Sequence, residues 1–108
     1  MKKLCQTTEI APGKMKGFDV EGRHVLVLNI GGEFKACDGV CPHQEVMLAE
    51  GIFDGTLLTC HSHLWQWNVR EEEIEREAEE DLVYFQLHVD GGEIWLVLDE
   101  SGKPKVRQ

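Results

Sequence analysis

The sequence predicts an all-β fold: a small, mostly antiparallel domain of several short strands. Three observations carry that prediction. Helical periodicity is scarce, short β-branched and apolar runs recur between Gly, Asp and Asn punctuation, and two pairs of such runs are joined through Gly-Gly. Taken in order, Cys5 falls in a strand near the start and residues 13–20 hold another short one. Residues 23–30 (RHVLVLNI) are a strand, Gly31-Gly32 a hairpin turn, and residues 33–37 (EFKAC), with Cys37, the return strand. Asp54-Gly55 marks a turn before residues 56–60 (TLLTC). In residues 64–67 (LWQW) the two-residue period of a strand puts Trp65 and Trp67 on one face. Residues 84–89 (YFQLHV), Asp90-Gly91-Gly92 and residues 93–98 (EIWLVL) make a second hairpin. One stretch departs from the pattern. Between residues 71 and 82, Ile74, Ala78 and Leu82 recur every four residues, and Glu72 and Arg76 are spaced as an i,i+4 pair. A short helix competes there with a solvated acidic loop. Residues 103–108 read as a loose tail.

With 108 residues, 42% hydrophobic and 29% charged, the chain has the balance of a globular protein able to build one core without staples. No internal repeat or linker divides it, so a single domain is expected over residues 1–108. No apolar run approaches the roughly 20 residues needed to cross a bilayer. The opening MKKLCQT has no apolar stretch behind its lysines and does not read as a secretory signal. The expected compartment is therefore the cytoplasm, with no membrane partner. The net charge of −9 argues against a nucleic-acid partner, since phosphate binding is driven by basic residues. That charge is uneven: residues 71–81 hold eight acids and one arginine, net −7, and the rest of the chain carries −2.

Four cysteines are too few for a disulfide scaffold, and Cys beside His reads first as metal binding or catalysis. Two clusters stand out, Cys41-Pro42-His43 and Cys60-His61-Ser62-His63, with 16 residues between His43 and Cys60. Each offers one thiolate and one imidazole, and each follows a strand or a Gly-containing turn, so two loops can be aimed at each other from a rigid sheet. Zinc accepts two Cys and two His, but zinc fingers usually group Cys with Cys and His with His. A Rieske [2Fe–2S] centre needs the mixture seen here, two thiolates on one iron and two imidazoles on the other. The candidate ligands are Cys41, His43, Cys60 and His63. Four protein ligands leave no open position for a substrate, so the expected task is electron transfer rather than catalysis.

Other residues that attract notice have plainer readings. Cys5 and Cys37 lie in strands, where a buried Cys behaves as a small hydrophobe. His24 and His88 lie on strands away from the loops, His61 reads as a loop residue facing solvent, and Trp65 and Trp67 read as core.

At Cys41-Pro42-His43-Gln44-Glu45 and Cys60-His61-Ser62-His63-Leu64-Trp65 the sequence resembles the Rieske ferredoxins, nearest to those serving bacterial toluene-type diiron monooxygenases. Leu64 stands where the general Rieske pattern has Gly. The resemblance implies stacked antiparallel β-sheets, sandwich- or barrel-like, with a cluster-binding subdomain of two loops over about residues 38–69. It implies Cys41 and Cys60 on the inner iron and His43 and His63 on the outer one. The chain would be a monomer that accepts one electron from an NADH-dependent flavin/iron–sulfur reductase and passes it to a diiron hydroxylase that oxidises a hydrocarbon. Val46 and Ser62 stand where respiratory Rieske proteins carry an inter-loop disulfide, which argues for a soluble carrier. The third loop that covers the cluster in many members corresponds to residues 69–81, which contain neither Gly nor Pro. The competing readings are a ferredoxin of a ring-hydroxylating dioxygenase, a nitrite-reductase-type Rieske module, and a zinc-stabilised interaction domain.

Overall fold

The computed structural model describes residues 1–42, 46–61 and 65–107. Among these the strands, in chain order, are β1 (Lys2–Gln6), β2 (Met15–Val20), β3 (Arg23–Ile30), β4 (Glu33–Asp38), β5 (Ile52–Phe53), β6 (Leu57–Thr59), β7 (Gln66–Asn68), β8 (Glu73–Arg76), β9 (Tyr84–Phe85), β10 (Leu87–Asp90) and β11 (Glu93–Leu96). All pairings are antiparallel, and they make three sheets: a terminal one ordered β1-β11-β10, a central one ordered β2-β3-β4-β9, and a loop-bearing one ordered β5-β6-β7-β8. The all-β expectation holds, and both Gly-Gly turns make hairpins, β3–β4 and β10–β11, but the strand expected over residues 84–89 is split: Tyr84–Phe85 pairs with β4 in the central sheet and Leu87–Asp90 with β11 in the terminal one. At the first turn, Gly31 and Gly32 take φ of 61° and 101°, left-handed values that suit glycine.

The apolar run of β3 explains how the sheets stack. A strand with one wet face alternates, whereas a strand buried on both faces reads as a continuous apolar run. From Val25 to Ile30 every residue of β3 is buried. Leu26, Leu28 and Ile30 join the core shared with Leu58, Trp65, Trp67 and Val69 of the loop-bearing sheet region. Val25 and Val27 join the core shared with Cys5, Ile94 and Leu96 of the terminal sheet. The central sheet therefore lies between two cores. Asn29 is the polar exception in the run. Its Nδ2 donates to the Ile10 carbonyl at 2.7 Å and its Oδ1 accepts from Gly32 N–H at 2.7 Å, so its burial leaves no polar group unpaired.

Two expectations are corrected. The acidic stretch is neither helix nor featureless loop: Glu73–Arg76 is β8, paired with β7 in the register Gln66↔Arg76, Trp67↔Ile74, Asn68↔Glu73. Glu72 and Glu77 flank it at φ 58° and 61°, outside the right-handed helical region, and β7 would otherwise show an unpaired edge. Glu72 pairs not with Arg76 but with Lys35 and Arg107. The tail is not loose either. Lys105 N–H donates to Val97 O at 2.9 Å, Gln86 N–H donates to Lys105 O at 2.8 Å, and Arg107 N–H donates to Tyr84 O at 2.9 Å. It satisfies backbone groups that β9 and the chain after β11 would leave bare.

Candidate metal centre

The first loop grows out of β4. Asp38 ends the strand, and its Oδ1 accepts from Val40 N–H at 3.1 Å, a local turn that an Asp side chain favours. Gly39 then passes close over β3: its N–H donates to His24 O at 2.8 Å, and a Cβ there would lie 3.1 Å from that of His24. Leu48 N–H returns to Gly39 O at 2.8 Å, Val40 bridges to Met47, and Cys41 N–H donates to Val46 O at 2.9 Å. The second loop is the tip of the β6–β7 hairpin. Thr59 pairs with Gln66, whose Nε2 donates to Thr59 Oγ1 at 3.0 Å, and Cys60 N–H donates to Trp65 O at 2.8 Å.

The two loops are thus closed in the same way, a cysteine N–H bonded to the carbonyl five residues on. Cys41 is 3% and Cys60 1% exposed, and both belong to one buried cluster with Leu48, Leu58, Trp65 and Trp67. Two thiols buried in one apolar, water-poor cluster suit soft-metal ligation, so the described part of the site fits an iron–sulfur cluster. His43 and His63 lie outside the described residues.

Neighbouring packing holds the loops in register. Gly51, after the first loop, runs so tightly against Thr59 that a Cβ there would overlap the Thr59 carbonyl oxygen. Trp65 and Trp67 meet edge to face, with centroids 6.1 Å apart and planes at 69°. Trp67 is fully buried, and its Nε1 donates to Glu80 O at 2.9 Å, which ties the acidic stretch to the core that holds both cysteines. Ala78 packs against that core and Leu82 is part of it.

The remaining candidates sit where strand logic puts them. Cys5 is buried in β1, in the other core. Cys37 is fully buried in β4; burial first, then the charge of Asp38, pushes its thiol far above the usual range. His24 lies on β3 beside Asp19, His88 on β10 is exposed, and His61 is exposed. Lys35 carries no motif and escapes spacing arguments. It is nevertheless 8% exposed, with its ammonium on the carbonyls of Val69 (3.0 Å) and Arg70 (2.9 Å) and on Glu72 Oε2 (2.8 Å). Its one sequence signal is parity: in β4 it shares a face with Cys37.

Comparison with known proteins agrees with this geometry. The chain is 35% identical over 99 residues to the methanesulfonate monooxygenase ferredoxin subunit of Methylosulfonomonas methylovora, covering 91% of this chain and 80% of that one. It is 37% identical over 92 residues to the ferredoxin component of the alkene monooxygenase system of Xanthobacter autotrophicus, covering 84% and 75%. Its fold is similar, at TM-score 0.82 and 25% identity, to a chain in the solved complex of reduced oxygenase and oxidized ferredoxin in carbazole 1,9a-dioxygenase, covering 97% of this chain and 95% of that one. Residues 1–86 match the Rieske [2Fe-2S] domain, and the chain belongs to that family.

Proposed function

We propose that Cys41, His43, Cys60 and His63 hold one Rieske-type [2Fe–2S] cluster per chain, the thiolates on one iron and the imidazoles on the other. The chain then carries single electrons from an NADH-dependent flavin/iron–sulfur reductase to the hydroxylase of a multicomponent bacterial diiron monooxygenase of the toluene/alkene type. The observation that carries this reading is the matched pair of cysteine loops, closed alike and buried in one cluster.

When bound, the cluster takes up and returns one electron. The chain supplies the rest. Cys41 and Cys60 offer soft donors from backbone already fixed by hydrogen bonds, and Leu48, Leu58 and Trp67 keep water away from the thiolate side. With four protein donors spent on the cluster, no ligand position is left for a substrate, so the chain is an electron-transfer component and not an enzyme by itself. The relatives named as ferredoxins of monooxygenase systems support the hydroxylase partner. We read the chain as one Rieske unit over residues 1–108, with cluster loops in about 38–69, working as a cytoplasmic monomer. Among the described residues no helix is long and apolar enough to cross a membrane. A second reading, the ferredoxin of a ring-hydroxylating dioxygenase, is favoured by the similarity to the carbazole dioxygenase complex.

The test begins with metal. The purified chain should hold two iron and two labile sulfides, as the Rieske formula requires; stoichiometric zinc without sulfide overturns the reading. Cys41→Ser and Cys60→Ser should lose the cluster, while Cys5→Ser and Cys37→Ser keep it. Stopped-flow reoxidation of the reduced chain by a toluene/alkene-type hydroxylase and by a dioxygenase then separates the two systems.

A further inference from the structure

We propose that Lys35 is a positioning residue that locks the two cysteine loops in one relative placement. The inference rests on the ligand reading above and adds a residue to it. Lysine is almost never buried unless its charge is met. Lys35 is buried, and its three ammonium protons match three acceptors: Val69 O, Arg70 O and Glu72 Oε2, all within 3.0 Å. The acceptors lie where a clamp would act. Lys35 belongs to β4, the strand that runs directly into the first loop and Cys41. Val69 closes the open end of the β6–β7 hairpin, its N–H donating to Thr56 O at 2.9 Å, and the tip of that hairpin is the second loop with Cys60. One side chain therefore joins the strand that delivers one cysteine to the base of the hairpin that delivers the other.

Glu72 completes the device. It is held at φ 58°, a conformation that costs a non-glycine residue energy and persists where the surroundings enforce it. Its carboxylate meets Lys35 and also Arg107 of the C-terminal segment, whose guanidinium lies over the Tyr84 ring. The lysine charge is thus neutralised on the spot, and the base of the hairpin is tied both to β4 and to the segment that covers β9. A hairpin without this tie could rock about its contacts with the central sheet. Two thiolates that must meet one iron tolerate little such rocking.

The experiment compares the cluster-loaded wild type with Lys35→Met and Glu72→Gln. Two quantities are read: the electron paramagnetic resonance linewidths of the reduced cluster and the rate of iron release to a chelator in native buffer. A residue that only adds global stability moves the unfolding midpoint and leaves the linewidths alone. Lys35→Met should incorporate iron and sulfide, broaden the lines, and release iron about tenfold faster or more, as expected when a charge-assisted tie against local opening is lost. Glu72→Gln keeps both lysine–carbonyl bonds but loses the charge partner, and should fall between wild type and Lys35→Met in both readouts. Wild-type linewidths and release rate in Lys35→Met overturn the proposal, however far the urea midpoint falls. Should Lys35→Met not fold, Lys35→Met/Glu72→Gly decides by the same two readouts. That pair also removes the carboxylate that has lost its lysine and puts glycine at the left-handed position. Iron loss in Cys60→Ser, with Lys35 intact, reports on the ligand reading separately.

Discussion

Replacing Trp67 by Phe tests whether the acidic stretch is anchored to the core beneath the loops. Trp67 is fully buried, so the substitution removes part of a ring from a packed site and leaves a void. A void of about 40 Å³ at about 24 cal/mol per Å³ costs about 1 kcal/mol, and the lost apolar contact area costs about as much again. The Nε1–Glu80 O bond at 2.9 Å also disappears, at a net cost of about 1 kcal/mol. The expected loss is therefore about 3 kcal/mol. At a urea slope of about 1.5 kcal/mol/M that moves the midpoint down by about 2 M. The assay is urea unfolding of the cluster-loaded chain, followed in parallel by far-ultraviolet circular dichroism and by visible absorbance of the cluster. Coincident curves license the two-state reading. The control is Glu80→Ala: Trp67 bonds to the backbone of Glu80, so this change should stay within about 0.5 kcal/mol of wild type. A Trp67→Phe loss below about 1 kcal/mol, or a Glu80→Ala loss as large as that of Trp67→Phe, would refute the reasoning.

Three further outcomes follow from other contacts. Burial alone would raise the Glu72 carboxyl, but hydrogen bonds from Arg107 and Lys35, with their charges, outweigh it and hold the group below its ordinary value. The stability it confers is complete above the unfolded carboxylate pKa of about 4.3 and is lost as pH falls through the folded value. Glu72→Gln should therefore be less stable than wild type at pH 7, with the gap closing below about pH 4; a gap that widens toward acid contradicts this. Truncation after Pro104 removes the bonds of Lys105 and Arg107 to Val97, Gln86 and Tyr84, and should lower stability by about 2–4 kcal/mol in thermal unfolding. Gly51→Ala should cost about 3 kcal/mol or more and lower the iron content per chain. The backbone of Gly51 is at an ordinary φ of −85°, so the cost is the overlap with Thr59, one residue before Cys60.

What could be read from the sequence was local in its physics. The mostly apolar run of β3, the two Gly-Gly hairpins and the strand parity of Trp67 each depend on neighbours a few residues away. The placement of Cys41 and Cys60 in loops was legible because each sits just past a turn or strand end, where a loop must be. The fate of residues 71–82 was not legible in the same way. Ile74, Ala78 and Leu82 share a helical spacing, but the deciding facts are the bare edge of β7 and the left-handed backbone at Glu72 and Glu77. Both belong to the assembled fold. The tail was misread for the same reason, since the carbonyl of Tyr84 that takes up Arg107 N–H becomes available only once β9 is in place. Lys35 shows the limit most clearly: parity with Cys37 is its only signal in the sequence, and only the hairpin folding over it explains why a charge is tolerated there.

The loop-bearing sheet ends at β5, two residues long, and at β8, whose four residues are all exposed. An open sheet edge is a template on which a second chain can add a strand. Here the longer edge carries Glu73 and Glu75. Two copies meeting antiparallel along β8 in full overlap would set Glu73 against Arg76, but residues 71–81 around that edge carry net −7, and charge of one sign on both copies opposes their approach. The same run of glutamates that gives the chain most of its charge therefore works against strand addition at that edge. For an electron carrier, such an edge is guarded against the pairing that would tie one copy to another.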